Sequence, residues 1–114
     1  MEHNLFDLTG KVAIITGAAR GIGKVIAQGL AAVGVKVVIA DIKQIEAEAT
    51  AKIIQAAGGD AIALTTDVTK RQDCQNLIQQ TVNYYNRLDI LVCNAGIDIL
   101  KPFISLEEEE WDAI

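Results

Sequence analysis

The sequence predicts an α/β fold in which a parallel sheet carries helices on both faces. Residues 12–16 form an apolar run suited to a buried strand; a glycine-rich turn follows, and a helix-period pattern begins directly after it. Residues 35–40 form a second run, rich in β-branched side chains, as a parallel sheet covered on both faces requires. Because crossovers between parallel strands are right-handed, we expect the strand order 3-2-1-4.

The first unit runs from a strand over residues 11–16 through the glycine turn into a helix. The predicted inward face of this helix has apolar residues at helical spacing, namely Val25, Ile26, Leu30 and Val33. Gly34 ends the helix, a common position for glycine. Before the first strand, a short leader is expected to pack against the sheet through Leu5, Phe6 and Leu8.

A second helix is predicted over residues 45–57 and a third strand over residues 61–66. The helix is rich in Ala, Glu, Lys and Gln, which favour helix formation. Its apolar positions include Ile45, Ala49 and Ile53, and two glycines end it at residues 58–59. These positions predict one apolar face towards the sheet and one polar face towards water.

A third helix and a fourth strand, over residues 88–93, complete the predicted sheet. Thr69 and Gln72 match a capping box that would begin the helix. The predicted inward stripe comprises Cys74, Leu77, Ile78, Thr81, Val82 and Tyr85. Ser105 and Glu108 match a second capping box, so we expect a fourth helix to start near residue 106 and the chain to be truncated within it.

Composition and charge argue against several classes of protein. Apolar residues make up 51% of the 114 residues and charged residues 22%, which is typical of a globular domain. The net charge of −5 and the lack of a basic stripe argue against nucleic acid as a partner, and no apolar run approaches the ~20 residues that span a membrane. Cys74 and Cys93 lack metal-site spacing, so we expect no metal, reduced thiols and a cytoplasmic location.

The glycine turn is the first candidate site. Gly17, Gly21 and Gly23 remove side chains where a phosphate could approach the backbone, and the helix N-terminus offers unpaired N–H groups. Such a turn suits a pyrophosphate, although glycine turns after strands also occur for structural reasons alone. Asp41 ends the second strand about 20 residues later, where a dinucleotide-binding unit places the acid that binds the adenosine ribose.

Four motifs together resemble the short-chain dehydrogenase/reductase family. They are Thr16-Gly17-Ala18-Ala19-Arg20-Gly21-Ile22-Gly23, Asp41, Asp67-Val68 and Asn94-Ala95-Gly96, in the order and at the spacings of the family. The resemblance runs from about residue 7 to residue 114 and implies a Rossmann-type parallel sheet. It covers only the first half of such an enzyme, so residues 1–114 are expected to be the N-terminal half of a single dinucleotide-binding domain.

The resemblance implies that residues at the strand ends contact the cofactor. Those expected at the pyrophosphate and its ribose are Gly17, Gly21, Ile22 and Gly23. Those expected at the adenine are Asp67 and Val68, and those beneath the adenine-side ribose are Asn94, Ala95 and Gly96. Local alternatives stay open, since residues 67–69 also suit a helix-initiating turn and residues 94–96 a turn with left-handed angles.

The choice between NAD and NADP depends on two residues of opposite charge. Asp41 favours NAD, because a carboxylate binds the free ribose hydroxyls and repels a 2′-phosphate. Arg20 stands where NADP-dependent members of the family often carry a basic residue. Asp41 is followed by Ile42, and Lys43 comes only after that, so NAD is predicted over NADP.

The catalytic pair of the family is not found in the sequence. Family members use Tyr-x-x-x-Lys, but Leu88 stands four residues after Tyr84, and Asp89 four after Tyr85. We therefore expect the 114-residue chain to be inactive alone, and to be part of an oxidoreductase that interconverts a hydroxyl and a carbonyl group of a small substrate by hydride transfer. Alternatives are a non-catalytic module that binds NAD or an adenine nucleotide, and a structural fragment. Because strand four would leave an open edge, self-association or a complementing chain is also expected.

Overall fold

The computed structural model of the chain describes residues 7–94, which form four strands and three helices in alternation. Their bounds, in chain order, are β1 Val12–Thr16, α1 Gly21–Ala32, β2 Lys36–Asp41, α2 Gln44–Ala56, β3 Ala61–Thr65, α3 Arg71–Tyr85 and β4 Ile90–Val92. The strands are parallel and lie in the order β3-β2-β1-β4. The predicted α/β class and strand order are therefore confirmed.

The register brings the carboxyl ends of the strands to one edge of the sheet. Thr16 of β1 lies opposite Ala40 of β2, and Asp41 lies opposite Thr65 of β3. On the other side of β1, Ile15 pairs with Val92 at the end of β4. The segments that follow these strands, including the glycine turn, therefore meet at the edge where parallel α/β sheets bind their ligands.

The two faces of the sheet have separate apolar cores. On one face, α1 and α2 pack against alternate residues of β1 and β2, among them Ile15 and Ile39. On the other face, α3 packs through Leu77 and Tyr85 against the intervening residues, such as Ile14. All five residues of β1 are buried, which is why its sequence is nearly continuously apolar rather than alternating.

The inward faces of α1 and α2 differ from the prediction. Val25 of α1 is 66% exposed and Ile45 of α2 is 84% exposed, although both were expected to face the sheet. The residues buried in their place are small for the most part, namely Gly23, Ala27 and Ala31 in α1, and Ala47, Thr50, Ala51 and Ile54 in α2. Small side chains let both helices approach the sheet closely. Of the predicted face of α1, Ile26 and Leu30 do pack against the core, whereas Val25 and Val33 are exposed.

The predicted capping box at the start of α3 is wrong as well. The N-cap residue is Lys70, and no side chain caps the helix. The hydroxyl of Thr69 instead donates to Oδ1 of Asp67 at 2.6 Å, and the Gln72 amide donates to Asn76 one turn further on. The helix begins one residue later than the capping box predicts, and Thr69 belongs to the preceding turn, where it bonds to Asp67.

Some predictions concern residues 1–6 and 95–114, which lie outside the described range. They include the contacts of Leu5 and Phe6, the positions of Ala95 and Gly96, and the fourth helix. Leu8 is described, and it packs against the core formed by α1 and α2. No helix within residues 7–94 combines the length and the apolarity needed to cross a membrane.

An ion pair between Arg87 and Asp89 lies at the amino ends of β1 and β4, at the end of the sheet opposite the glycine turn. The Arg87 guanidinium donates to both carboxylate oxygens of Asp89, at 2.7 and 2.8 Å. The backbone N–H of Val12 donates to Oδ2 of the same carboxylate at 2.9 Å, and the Asp89 N–H donates to the Val12 carbonyl. Asp89 therefore links the start of β4 to the start of β1.

We expect Asp89→Asn to reduce the loss of stability in acid. The hydrogen bonds from Arg87, aided by the Val12 N–H, hold the pKa of the Asp89 carboxyl below its ordinary value of 3.8. A carboxyl whose pKa is lower in the folded state stabilises that state above pH 3.8, and the contribution is lost as the pH falls below this value. Urea unfolding of the whole protein between about pH 5 and pH 2 should thus show a shallower decline for the variant.

Arg87→Gln removes the charged partner and should give a similarly shallow decline. Parallel pH profiles for the wild-type protein and both variants would contradict the assigned role of this ion pair.

Candidate functional site

The glycine turn lies between β1 and α1 at the carboxyl edge of the sheet. Gly17 has a φ of +64° and Gly21 a φ of +67°, in the left-handed region that L side chains rarely adopt. The Gly17 N–H donates to the Ala40 carbonyl at 2.8 Å, which continues the β1–β2 ladder by one bond. The turn therefore starts and ends at positions that require glycine for its backbone conformation.

Gly23 is required for a different reason, which is close packing. A Cβ built on Gly23 would lie 2.5 Å from the Gly17 carbonyl oxygen and 2.6 Å from Nδ2 of Asn94. A Cβ on Gly21, by contrast, would meet nothing within 4 Å. The first turn of α1 therefore presses against the strand ends at Gly23, while the backbone at Gly21 borders open space.

Ala19, midway between Gly17 and Gly21, is held through both its backbone N–H and its carbonyl. The Ala19 N–H donates to Oδ2 of Asp41 at 3.1 Å, and the Ala19 carbonyl accepts the Thr50 hydroxyl at 2.8 Å. The other oxygen of Asp41 accepts the Lys43 N–H at 3.0 Å. The end of β2 and the middle of α2 thus support the turn together.

Asn94 joins the end of β4 to the same turn. The Asn94 side-chain amide donates to the Gly17 carbonyl at 3.2 Å, and the Asn94 backbone N–H donates to Oγ1 of Thr16 at 2.9 Å. The Thr16 hydroxyl in turn donates to the Val92 carbonyl at 3.3 Å. These bonds keep the carboxyl ends of β1 and β4 together.

A shallow cleft of about 120 Å³ opens beside the turn. The residues that line it are Gly17, Ala40, Asp41, Ile42, Thr66, Asp67 and Val68. The cleft brings together five of the residues named from the sequence, from three different strand ends. A larger cavity, of about 250 Å³, lies between the carboxyl ends of α1 and α2 and contains none of them.

Asp67 has a tightly bonded carboxylate within the cleft wall. Its Oδ1 accepts both the N–H and the hydroxyl of Thr69, and these bonds lower the pKa of Asp67 below its ordinary value. The Asp67 N–H donates to Oδ2 of Asp73 at 2.8 Å. Asp67 is therefore an ionised hydrogen-bond acceptor at neutral pH, and hydrogen bonds to Thr69 and Asp73 hold its turn.

The remaining predicted residues lie at the margin of the cleft or outside the described range. Arg20 and Ile22 are exposed at the start of α1, and Nε of Arg20 lies 4.0 Å from a carboxylate oxygen of Glu46. Ala95 and Gly96 belong to the part of the chain that the structure does not describe. The first turn of α1 carries no acidic side chain, so the residues present fit an anionic group at this N-terminus.

Two supporting residues were missed in the sequence, namely Thr50 and Asp73. Thr50 lies 31 positions from its partner, and no local pattern encodes such a contact. Asp73 had a detectable signal, because it is the acidic residue in the first turn of α3, where such residues bond nearby N–H groups.

Both tyrosines lie at the end of α3, where the Tyr84 ring packs edge-on against the Tyr85 ring with centres 4.7 Å apart. Tyr85 is buried near the end of α3, beside Lys36 at the start of β2, and its hydroxyl donates to Asp60 at 2.7 Å. Burial, followed by the bond to Asp60, raises the pKa of Tyr85 far above its ordinary value. Tyr85 therefore stays protonated at the edge of the sheet opposite the glycine turn.

The comparison with known protein families agrees with this architecture. A family model described as short chain dehydrogenase matches residues 11–114, which is nearly the whole sequence. The chain belongs to the short-chain dehydrogenase family. A curated relative, a 3-oxoacyl-(acyl-carrier-protein) reductase from Synechocystis, is 41% identical over 108 residues, covering 94% of this chain and 44% of that protein.

Two solved structures of short-chain dehydrogenases have the same fold. One from Burkholderia phymatum, in complex with NAD, has a TM-score of 0.74 and 33% identity, covering 76% of this chain and 31% of that one. A metagenomic short-chain oxidoreductase in complex with NADP has a TM-score of 0.76 and 34% identity, and the match covers 94% of this chain and 49% of that one. This short-chain dehydrogenase chain spans about two fifths of the length of the curated relatives that it matches.

Proposed function

We propose that this chain supplies the dinucleotide-binding part of an NAD(P)-dependent oxidoreductase that interconverts a hydroxyl and a carbonyl group by hydride transfer. The observation that carries the proposal is the glycine turn, whose open backbone at Gly21 borders a helix N-terminus without acidic side chains. Family membership adds support. In this proposal residues 1–114 are the N-terminal half of one dinucleotide-binding domain.

The proposed pyrophosphate position is at the start of α1. Gly17, Gly21, Ile22 and Gly23 are its proposed neighbours, because N–H groups of a helix N-terminus and its positive dipole end attract anions. The open space at Gly21 supports this position, since a side chain there would occupy it. When bound, the dinucleotide supplies or accepts the hydride, and the chain binds and orients it.

The proposed adenosine position is the cleft between the ends of β2 and β3. Asp41 would accept the ribose hydroxyls, with Ile42 beside it, and the adenine would lie near Asp67 and Val68. The Asn94-Ala95-Gly96 segment would pass beneath the ribose. We propose NAD as the cofactor, because the Asp41 carboxylate would repel the 2′-phosphate of NADP, whereas Arg20 is exposed and lies near Glu46.

Neither tyrosine of the sequence is positioned as a general acid/base, so we propose that residues 1–114 alone bind the dinucleotide without turnover. The small alcohol or carbonyl substrate would bind only in the whole protein. Both cysteines are free thiols, which supports a reducing compartment, the cytoplasm.

Titration with NADH tests the binding proposal directly. The whole protein should enhance nicotinamide fluorescence saturably, ADP-ribose should compete for the same site, and NADPH should bind more weakly. Lack of binding by NADH, NADPH and ADP-ribose alike would contradict the proposal. The second candidate is a non-catalytic module that binds NAD or an adenine nucleotide through the same glycine turn. It predicts the same titration, but no change in nicotinamide absorbance with a panel of small alcohols and ketones.

A further inference from the structure

A buried threonine of α2 holds the glycine turn from the side of the helix layer. Thr50 is 1% exposed, and its hydroxyl donates to the Ala19 carbonyl at 2.8 Å. The other buried residues of α2 are Ala47, Ala51 and Ile54, which bring only apolar surface to the interface. Thr50 is thus the polar side chain among the buried residues of this helix.

The direction of this hydrogen bond distinguishes Thr50 from an ordinary buried threonine. A threonine inside a helix commonly donates to the carbonyl one turn earlier in its own helix. Thr81 of α3, which is 0% exposed, does so and donates to the Leu77 carbonyl at 2.7 Å. Thr50 instead reaches a residue 31 positions away, in the turn at the carboxyl edge of the sheet.

The partner of Thr50 is itself buried, which makes the bond costly to remove. Ala19 is 4% exposed, so water has little access to its carbonyl once the Thr50 hydroxyl is absent. A buried carbonyl without a donor is destabilised, and the local backbone would rotate to satisfy it. Such a rotation would change the turn between Gly17 and Gly21, because Ala19 lies midway between them.

Together, Thr50 and Asp41 fix the peptide groups on both sides of Ala19. We propose that Thr50 is a positioning residue for the glycine turn, which holds the backbone N–H groups in the orientation that binds the pyrophosphate and so sets dinucleotide affinity. This inference rests on the proposed function for its ligand. Its geometric part, the support of the turn by Thr50, is independent of that function.

The test compares Thr50→Val with Thr81→Val in the whole protein. Both changes remove a buried hydroxyl at similar volume. Thr50→Val should lower the urea unfolding midpoint, whereas Thr81→Val should change it less, because the Leu77 carbonyl lies within α3 and the Thr81 bond only repeats a helical contact. Only Thr50→Val should weaken NADH binding, by about tenfold, because only this hydroxyl supports the turn. Thr50→Ser keeps the hydroxyl and should restore affinity, while Thr50→Ala provides a second variant without it.

Amide hydrogen exchange of the ligand-free protein separates the two proposals. Exchange at residues 18–21 should be faster in Thr50→Val, or in Thr50→Ala, than in the wild-type protein and in Thr81→Val. Unchanged exchange there, NADH affinity equal to wild type, or equal weakening by Thr50→Val and Thr81→Val would overturn the inference. If wild-type protein bound no dinucleotide while the exchange difference persisted, the proposed function would fail and the support of the turn would stand.

Discussion

Gly23→Ala should abolish measurable dinucleotide binding, whereas Gly29→Ala in the same helix should leave it unchanged. The added Cβ at position 23 would lie 2.5 Å from the Gly17 carbonyl oxygen, and Asn94 donates its side-chain amide to that same oxygen. Relief of the contact requires the start of α1 to move away from the strand ends. The N–H groups proposed to bind the pyrophosphate would then leave their positions.

The expected stability changes have opposite signs at the two glycines. Overpacking at Gly23 should cost about 1–3 kcal/mol of unfolding free energy. At Gly29 a Cβ meets nothing within 4 Å, so alanine there should stabilise α1 by up to ~1 kcal/mol through its higher helix propensity. NADH titration and urea unfolding of both variants measure the two effects separately. Wild-type affinity in Gly23→Ala would show that the close approach of α1 is not needed for binding.

The strand order could be predicted because its signals are local in the sequence. The continuous apolar run of β1, the glycines after it and the β-branched run of β2 are each visible within a few residues. Right-handed connections restrict the possible orders, and 3-2-1-4 is the order of the Rossmann-type sheet that the motifs imply. The direction of each helix face could not be predicted in this way. Ala27 and Ala31 are buried because the helix backbone lies close to the sheet, and that distance is a property of the assembled layers.

The candidate site likewise combines positions that could be predicted from the sequence with contacts that could not. Gly17, Asp41 and Asp67 follow strand ends, so the sheet topology places them at one edge. The contacts that shape the site join distant parts of the chain, as Thr50 joins Ala19 and Asn94 joins Gly17. At the start of α3, two local patterns include Thr69, and the structure places it in the turn of Asp67 rather than at the N-cap, which is Lys70. Sequence patterns alone do not rank such alternatives.

Asp41 has two separable roles that a cofactor experiment must distinguish. Its Oδ2 accepts the Ala19 N–H and its Oδ1 accepts the Lys43 N–H. Because each carboxylate oxygen can accept more than one hydrogen bond, both remain able to accept a ribose hydroxyl. Asp41→Asn removes the charge but leaves one acceptor oxygen, so only one of the two N–H groups, of Ala19 or of Lys43, keeps its partner. Amide exchange at Ala19 shows whether this variant keeps the turn, and a variant with unchanged exchange there is the control for the electrostatic role.

Replacing Asp41 by Ala together with Ile42→Arg should reverse the cofactor preference. The change removes a negative charge from the position proposed for the 2′ oxygen and adds a guanidinium that can bind a phosphate. The ratio of NADH to NADPH affinity should shift towards NADPH on the order of 100-fold. The loss of the carboxylate removes a repulsion of the 2′-phosphate, and the new guanidinium adds an attraction to it. Asp41→Asn should shift the ratio in the same direction but less, because it removes the negative charge and adds no cation. Fluorescence titration of both cofactors, repeated at high salt to screen the charges, measures the ratio. An unchanged ratio in the double variant would mean that Asp41 supports the turn only and does not select the cofactor.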